Sequence, residues 1–373
     1  MNHDVSPPTM TPLGAEIMAM IEAEGPIAFD RFMALALGHP RHGYYMTRDP
    51  LGKAGDFVTA PEISQIFGEL LGLAMAIAWQ QAGSPQACAF VELGPGRGTL
   101  ISDALRAAAA VPEFLEALTP HLVETSPVLA RAQAARLAAD GFDAQWHGAI
   151  DSLPEDQPLF ILANEFFDAL PVRQFERRAD GWHERRVGLD QEGALAMGLS
   201  PEPEGSIPFA GPEGAIFETS PLSLDIMRRL AERLSRQGGA MIAIDYGHVR
   251  SGFGDTVQAV KAHRFVPVLS EPGEADITAH VDFAMLAIAA GRGGATVHAL
   301  QSQATVLERL GIQHRADILK RKAEDPAQID RAVRRLSGTD PSAMGLLFKA
   351  IAVTPKGSPP PAGFEAPDPR LST

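Results

Sequence analysis

A carboxylate stands at the mouth of a glycine loop in this 373-residue chain: Val91-Glu92-Leu93-Gly94-Pro95-Gly96-Arg97-Gly98-Thr99. Three glycines between a strand and a helix let a ligand lie against bare backbone, at the positive end of the helix. The spacing is GxGxG, whereas a dinucleotide pyrophosphate is cradled by GxGxxG. Glu92 would repel a phosphate there and attract an ammonium or a sulfonium. That pairing of acid and loop fits S-adenosylmethionine and disfavours an NAD-dependent oxidoreductase. Glu124 ends the next apolar run, His121-Leu122-Val123-Glu124. A carboxylate in that place can accept hydrogen bonds from both ribose hydroxyls.

A second set of polar groups follows the third apolar run, in Ala163-Asn164-Glu165-Phe166-Phe167-Asp168-Ala169-Leu170-Pro171. Asn164, Glu165 and Asp168 are expected where a substrate would meet the cofactor, with Phe166 and Phe167 as walls that exclude water. The same residues would also suit plain core packing and the capping of a turn. Upstream, Gly55-Asp56-Phe57-Val58-Thr59-Ala60-Pro61-Glu62 reads as a lid entering a helix. Thr59 as N-cap and Glu62 three residues later make a capping box, a sufficient reason for both. His39 and His42 have no cysteine partner, so no metal site is expected. Trp146 is expected in the core, with stacking on adenine as the rarer role. Cys88 is expected to be a buried small residue.

These groups need a scaffold of parallel strands. Residues 89–93, 121–124, 159–163 and 240–244 are short, continuously apolar runs alternating with helical spacing. That texture belongs to strands covered on both faces, in a doubly wound, mostly parallel α/β sheet. In such a sheet the carboxyl ends of the strands face the ligand crevice. Ser126-Pro127 supplies an N-cap and first-turn proline for the helix after the second strand, and Asp30 is expected to cap a helix over residues 32–37. We expect a flexible tail over residues 1–12, a helical N-terminal lid region over 13–85, and the ligand-binding core over 86–353. Insertions are expected near 172–217, an arginine-bearing hairpin, and near 251–338, which includes helices over 283–290 and 318–336. The last strand falls at 346–353, and the Pro-rich tail 354–373 is expected to be disordered.

Composition narrows the function classes. Forty-six acidic against 32 basic residues give a formal charge of −14, which argues against general duplex binding through phosphate neutralisation. The Arg177-Arg178 and Arg185-Arg186 pairs therefore read as a solvated hairpin, with no nucleic-acid partner. A single cysteine excludes an intramolecular disulfide. The first basic residue is Arg31, so no basic leader or Arg-rich presequence is expected. The apolar stretch from Leu70 to Trp79 is too short to cross a bilayer and reads as a buried helix. Together these point to a cytoplasmic protein without a membrane span.

Five motifs in order, GDFVTAPEISQIFGELLG, VELGPGRGTL, NEFFDALPVRQF, AIDYGH and EPGEADITAHVDF, closely resemble the MidA family. That family comprises class I S-adenosylmethionine-dependent methyltransferases whose mitochondrial members methylate an arginine on a core subunit of respiratory complex I. The resemblance covers most of residues 13–353. It implies a seven-stranded methyltransferase sheet with a helical N-terminal part and inserted subdomains. It puts Glu92, Gly94, Gly96, Gly98 and Glu124 at the cofactor, bordered by Phe166 and Thr59, and Asn164, Glu165 and Asp168 on the catalytic side. Asp245-Tyr246-Gly247-His248 should line the same crevice. An arginine side chain stays charged near neutral pH, so Glu165 and Asp168 would clamp and orient it rather than act as strong bases. The expected activity is protein arginine N-methylation of a respiratory complex subunit or similar partner. The alternative is a cofactor-binding assembly factor or chaperone with little catalysis.

Overall fold

The computed structural model describes residues 10–49, 58–205, 207 and 209–366. Expectations for residues 1–9, for residues 55–57 of the lid and for 367–373 lie outside the described residues. The architecture is built on one large mixed sheet. Its spatial order is Thr296–Val297, Phe348–Thr354, Gly239–His248, Leu159–Asn164, Cys88–Leu93, Leu118–Val123, Gln145–His147. Five neighbouring strands from Gly239–His248 to Gln145–His147 run parallel. Phe348–Thr354 is antiparallel to Gly239–His248. Two short strands, Val281–Asp282 and Gln301–Ser302, pair off this seven-strand path.

Both faces of the central strands are buried because these strands are apolar on both sides. Cys88, Phe90 and Leu162 face one core with Phe67, Leu71 and Trp79. Ala89, Val91 and Ile161 face the other with Met227, Leu230 and Leu286. On the first face the helix Gln65–Gln81 lies directly on Thr99–Ala108, the helix that leaves the glycine loop. A Cβ on Gly68 or Gly72 would come within 2.6 Å of Asp103 Cβ or Ala104 Cα. The two glycines permit backbone-close packing against the middle of the loop's helix.

A third core unites distant parts of the chain over the carboxyl ends of the strands. It combines Leu13, Ile17, Phe32 and Tyr44 with Val172, Val187, Ala259 and Ile277. The N-terminal helices Pro12–Glu24 and Phe29–Gly38 thus join two accessory sheets. One contains Ile27–Ala28, Gly181–Leu189, Arg173–Arg178, Ile216–Thr219 and Leu195–Leu199; the other contains Arg264–Val266, Gln258–Lys261 and Asp276–Thr278. Arg173 and Arg186 of the first sheet pair with Glu184, and Arg185 pairs with Asp255.

Several local expectations are corrected. Phe29–Gly38 starts at Ala28 with no side-chain cap, and Asp30 sits inside its first turn, where its charge complements the helix dipole. Residues 318–336 are not one helix. Ile312–Lys320 ends, and Asp325 caps a new helix that starts at Pro326, because a proline starts helices more readily than it continues them. The Pro-rich tail is packed as far as Phe364. Phe364 is buried in the first core, and Arg309 pairs with Glu365. Among the described residues no helix is long and apolar enough to cross a membrane.

Candidate active site

The polar segments singled out in the sequence meet because of register. Leu93 pairs with Val123 and Ala163, and Asn164 pairs with Ile244. The loops starting at Gly94, Glu124 and Glu165 therefore leave the sheet side by side, next to Asp245 in the strand Gly239–His248. Strand order reverses at Cys88–Leu93, the crevice where open α/β sheets take ligands. A cavity of about 470 Å³ lies there. Its floor carries Glu92, Gly94, Gly96, Glu124, Asn164, Glu165, Phe166 and Asp168; its roof carries Tyr45, Thr59, Glu62, Gln258, Asp276 and Thr278.

The glycine loop turns through left-handed backbone at Gly94 (φ +58°) and Gly96 (φ +55°). A Cβ on Gly94 would also sit 2.9 Å from the Phe166 ring. Gln133, fully buried, donates to the Gly96 carbonyl at 2.8 Å and to Glu124 Oε2 at 2.9 Å. One amide thus joins the two expected cofactor walls. Glu124 Oε1 accepts the Ser126 amide at 2.7 Å. Gly98, expected at the cofactor, does not line the cavity; it caps the helix and faces Gln133. Trp146 is not core: it is 38% exposed and donates to Gln133 Oε1 at 2.9 Å.

Burial dominates the electrostatics. Glu92 Oε2 is buried without a hydrogen-bond partner, and burial, aided by the charges of Glu124 and Asp103, raises its carboxyl to about 8. Asn164 Oδ1 and Asp168 Oδ1 are likewise buried and unpartnered. Glu165 is raised to about 7 by burial and by Asp168. Asp168 is raised to about 6 by burial, with the Tyr246 hydroxyl opposing. Three unpaired acceptors around one cavity invite a ligand that is cationic and rich in donors. Among the described lining residues Arg97 is the only cation, and its guanidinium is held by Asp49 at 2.7 Å.

Glu165 occupies left-handed backbone, φ +51°, which a non-glycine residue keeps only when its surroundings hold it. Its Oε1 accepts Asn164 Nδ2 at 2.9 Å and the Ala60 amide at 3.1 Å. Beneath the loop lies Asp245. Its Oδ2 accepts the amides of Phe166, Phe167 and Asp168 at 3.1, 2.9 and 3.2 Å, and its Oδ1 accepts the Tyr246 amide at 2.9 Å. Burial and the nearby Asp168 and Glu165 raise its carboxyl. Of the expected crevice run Asp245–His248, only Tyr246 lines the cavity. The alternation of the strand turns Asp245 under the loop, and Gly247 lies against Val281 backbone. Thr59 lines the cavity and sits at the N-cap of the helix Ala60–Ile63, but its side chain makes no capping hydrogen bond. The expected capping box is absent because Glu62 instead accepts the Thr99 hydroxyl, tying the roof to the glycine loop. Among the described residues no group of three or more His, Cys, Asp or Glu is arranged to hold a metal.

Residues 70–301 match the sequence profile of an S-adenosyl-L-methionine-dependent methyltransferase family. The protein arginine methyltransferase NDUFAF7 homolog, mitochondrial, of Drosophila melanogaster is 36% identical over 92% of this chain and 85% of its own length. Its Homo sapiens counterpart is 34% identical over 93% and 84%. The chain is a MidA-family methyltransferase. A protein from Burkholderia thailandensis, solved with S-adenosyl-homocysteine bound, superposes on this methyltransferase with a TM-score of 0.84 at 30% identity. That match covers 96% of this chain and 97% of the other. S-adenosylmethionine is therefore the cofactor of this methyltransferase. The expected cytoplasmic location is overturned, since the NDUFAF7 relatives are named mitochondrial.

Sequence reasoning missed Gln133, Tyr45, Gln258, Asp276 and Thr278. Gln133 lies in an ordinary helical run. No spacing rule gives the others a role in the site, although Tyr45 belongs to the Gly- and aromatic-rich stretch that reads as a lid, and they reach the methyltransferase cavity through the third core. Asp276 stands inside the EPGEADITAHVDF motif, the one signal that marked its segment.

Proposed function

We propose that this protein transfers a methyl group from S-adenosylmethionine to an arginine side chain of a protein. The observation that carries the reading is a single cavity with two sets of acceptors. Glu92 Oε2 lies beside the glycine loop, and Asn164 Oδ1 and Asp168 Oδ1 lie at the end of the next strand, all buried and unpartnered. The residues present fit the cofactor. Glu92 would take the ammonium of the methionine moiety, and Gly94 and Gly96 would leave room beside it. Glu124 would take the ribose hydroxyls. Phe166 and Thr59 would border it. When bound, the cofactor supplies a methyl group on a cationic sulfur.

On the acceptor side, Glu165 and Asp168 would neutralise and orient a guanidinium, which two carboxylates can grip along its fork of donors. Asn164 would hold Glu165 in place through their hydrogen bond. The acceptor nitrogen loses one proton as it gains the methyl group. A carboxylate raised to about 7, as in Glu165, is matched to receive it near neutral pH. Orientation and charge account for the catalysis, since the chemical step itself is a direct displacement. The curated relatives are named protein arginine methyltransferases, which supports the choice of arginine. The family resemblance makes a core subunit of respiratory complex I the first acceptor to test.

The purified protein, given methyl-labelled S-adenosylmethionine and that subunit, should produce methylarginine in the acid hydrolysate. Tight binding of S-adenosylhomocysteine with no label transfer to any candidate acceptor would favour a binding-only assembly factor instead.

A further inference from the structure

The roof of the cavity brings a carboxylate that the reading above does not use. Asp276 lies on the short strand Asp276–Thr278 of the inserted sheet, is 6% exposed, and lines the cavity with Thr278. Its strand is pinned next to the catalytic loop, because the Ala279 amide donates to the Asp168 carbonyl at 3.0 Å. Asp276 and Asp168 thus reach the same chamber from two segments that touch. Tyr45 fixes the orientation of Asp276 by donating its hydroxyl to Oδ1 at 2.8 Å, while the Tyr45 carbonyl accepts the Ser126 hydroxyl at 2.6 Å. The phenols of Tyr45 and Tyr246 each feel the charge of both Asp168 and Asp276 and are raised, mainly by burial. These four side chains form one cluster, and Asp168 Oδ1 within it is buried and has no partner.

We infer that Asp276 is a second acceptor-binding carboxylate which, together with Asp168, selects a guanidinium over an ammonium. The inference rests on the arginine reading above. A guanidinium is a flat ion whose donors spread along two edges, so it can satisfy two carboxylates that arrive from different segments. Its faces suit flanking phenol rings. An ammonium concentrates its charge and its three donors on one nitrogen, so it offers two carboxylates no planar fork to share. The Tyr45 hydroxyl is committed to Asp276, so it holds the acid in place without competing for the ligand.

The probes are n-butylguanidinium and n-pentylammonium, titrated into the full-length protein saturated with S-adenosylhomocysteine. The wild-type protein should bind the guanidinium at least tenfold more tightly. Asp276→Asn should keep its affinity for S-adenosylhomocysteine and bind the two cations within threefold of each other. A variant that binds S-adenosylhomocysteine and keeps the tenfold preference overturns the inference. Failure of the wild-type protein to bind S-adenosylhomocysteine would instead refute the methyltransferase reading itself. A crystal structure of the wild-type protein with S-adenosylhomocysteine and n-butylguanidinium decides the point without a substitution. Hydrogen bonds from the guanidinium to both Asp168 and Asp276 support the assignment, and a guanidinium bound away from Asp276 contradicts it.

Discussion

Asp245→Asn changes almost no volume and should cost more than any surface substitution. Four amides converge on this carboxylate, three of them from the consecutive residues Phe166, Phe167 and Asp168. Asparagine has one acceptor oxygen and one amide group. If its oxygen keeps the three loop amides, its NH2 faces the Tyr246 amide, donor against donor. If it flips, three donors are stranded. A buried unsatisfied donor costs about 1–3 kcal/mol, and each surviving bond drops from charge-assisted to neutral, at roughly half its former strength. The expected destabilisation is about 3–5 kcal/mol, from one stranded donor together with the weakening of the surviving bonds. Glu165 is held in left-handed backbone by this same loop, a conformation that costs about 1–3 kcal/mol and relaxes when its support weakens. Methyl transfer should therefore fall along with stability. Urea denaturation monitored by tryptophan fluorescence measures the loss directly. A loss below about 1 kcal/mol would mean that Asp245 is a neutral acid already matched by an amide, and the clamp argument would fail.

Gly96→Val should remove S-adenosylhomocysteine binding, seen by calorimetry, while thermal unfolding stays cooperative. The position requires φ +55°, which a β-branched residue adopts at about 1–3 kcal/mol, and it lines the cavity. Glu124→Gln should weaken S-adenosylhomocysteine by about 1–2 kcal/mol, the difference between charged and neutral acceptors; an unchanged ligand-induced thermal shift would take Glu124 out of the cofactor site. Methyl transfer should rise with pH as Asp168, raised to about 6, and Glu165, raised to about 7, lose their protons. The sign is opposite for the ligand-free fold. Burial makes the native state hold these protons more tightly than the unfolded chain, so the two groups stabilise it least above pH 7. A rate flat from pH 5.5 to 8.5, at saturating cofactor and limiting acceptor, would show that ionised carboxylates do not hold the acceptor.

Glu92, Gly94, Gly96, Glu124, Asn164, Glu165 and Asp168 were legible because each follows or ends a short apolar strand. In a parallel sheet, strand ends in common register share one crevice. The central strands were legible for the same reason, their apolar runs being too continuous for one-sided burial. Asp245 also ends a run, yet it serves the loop from below. A side chain's face depends on the alternation within its own strand, and the strand Gly239–His248 runs past Ile244. Thr59 and Glu62 satisfied a local capping rule, and a tertiary partner, Thr99, won. Tyr45 and Asp276 are separated by 231 positions, and only the joint burial of Tyr44, Phe32 and Ile277 brings their segments together. The tail past residue 354 reads as solvated from its prolines, but one aromatic ring, Phe364, finds a place in the core.

We propose that one cavity has a cofactor half and an acceptor half, served by different acids. Glu165→Gln and Asp168→Asn keep side-chain shape and remove charge, so measuring two quantities on each purified variant tests the division. Calorimetry with S-adenosylhomocysteine should give affinities close to wild type, while transfer of labelled methyl to arginine in the native acceptor should fall sharply. Wild-type transfer rates in both variants, or loss of S-adenosylhomocysteine binding with either one, would contradict the account.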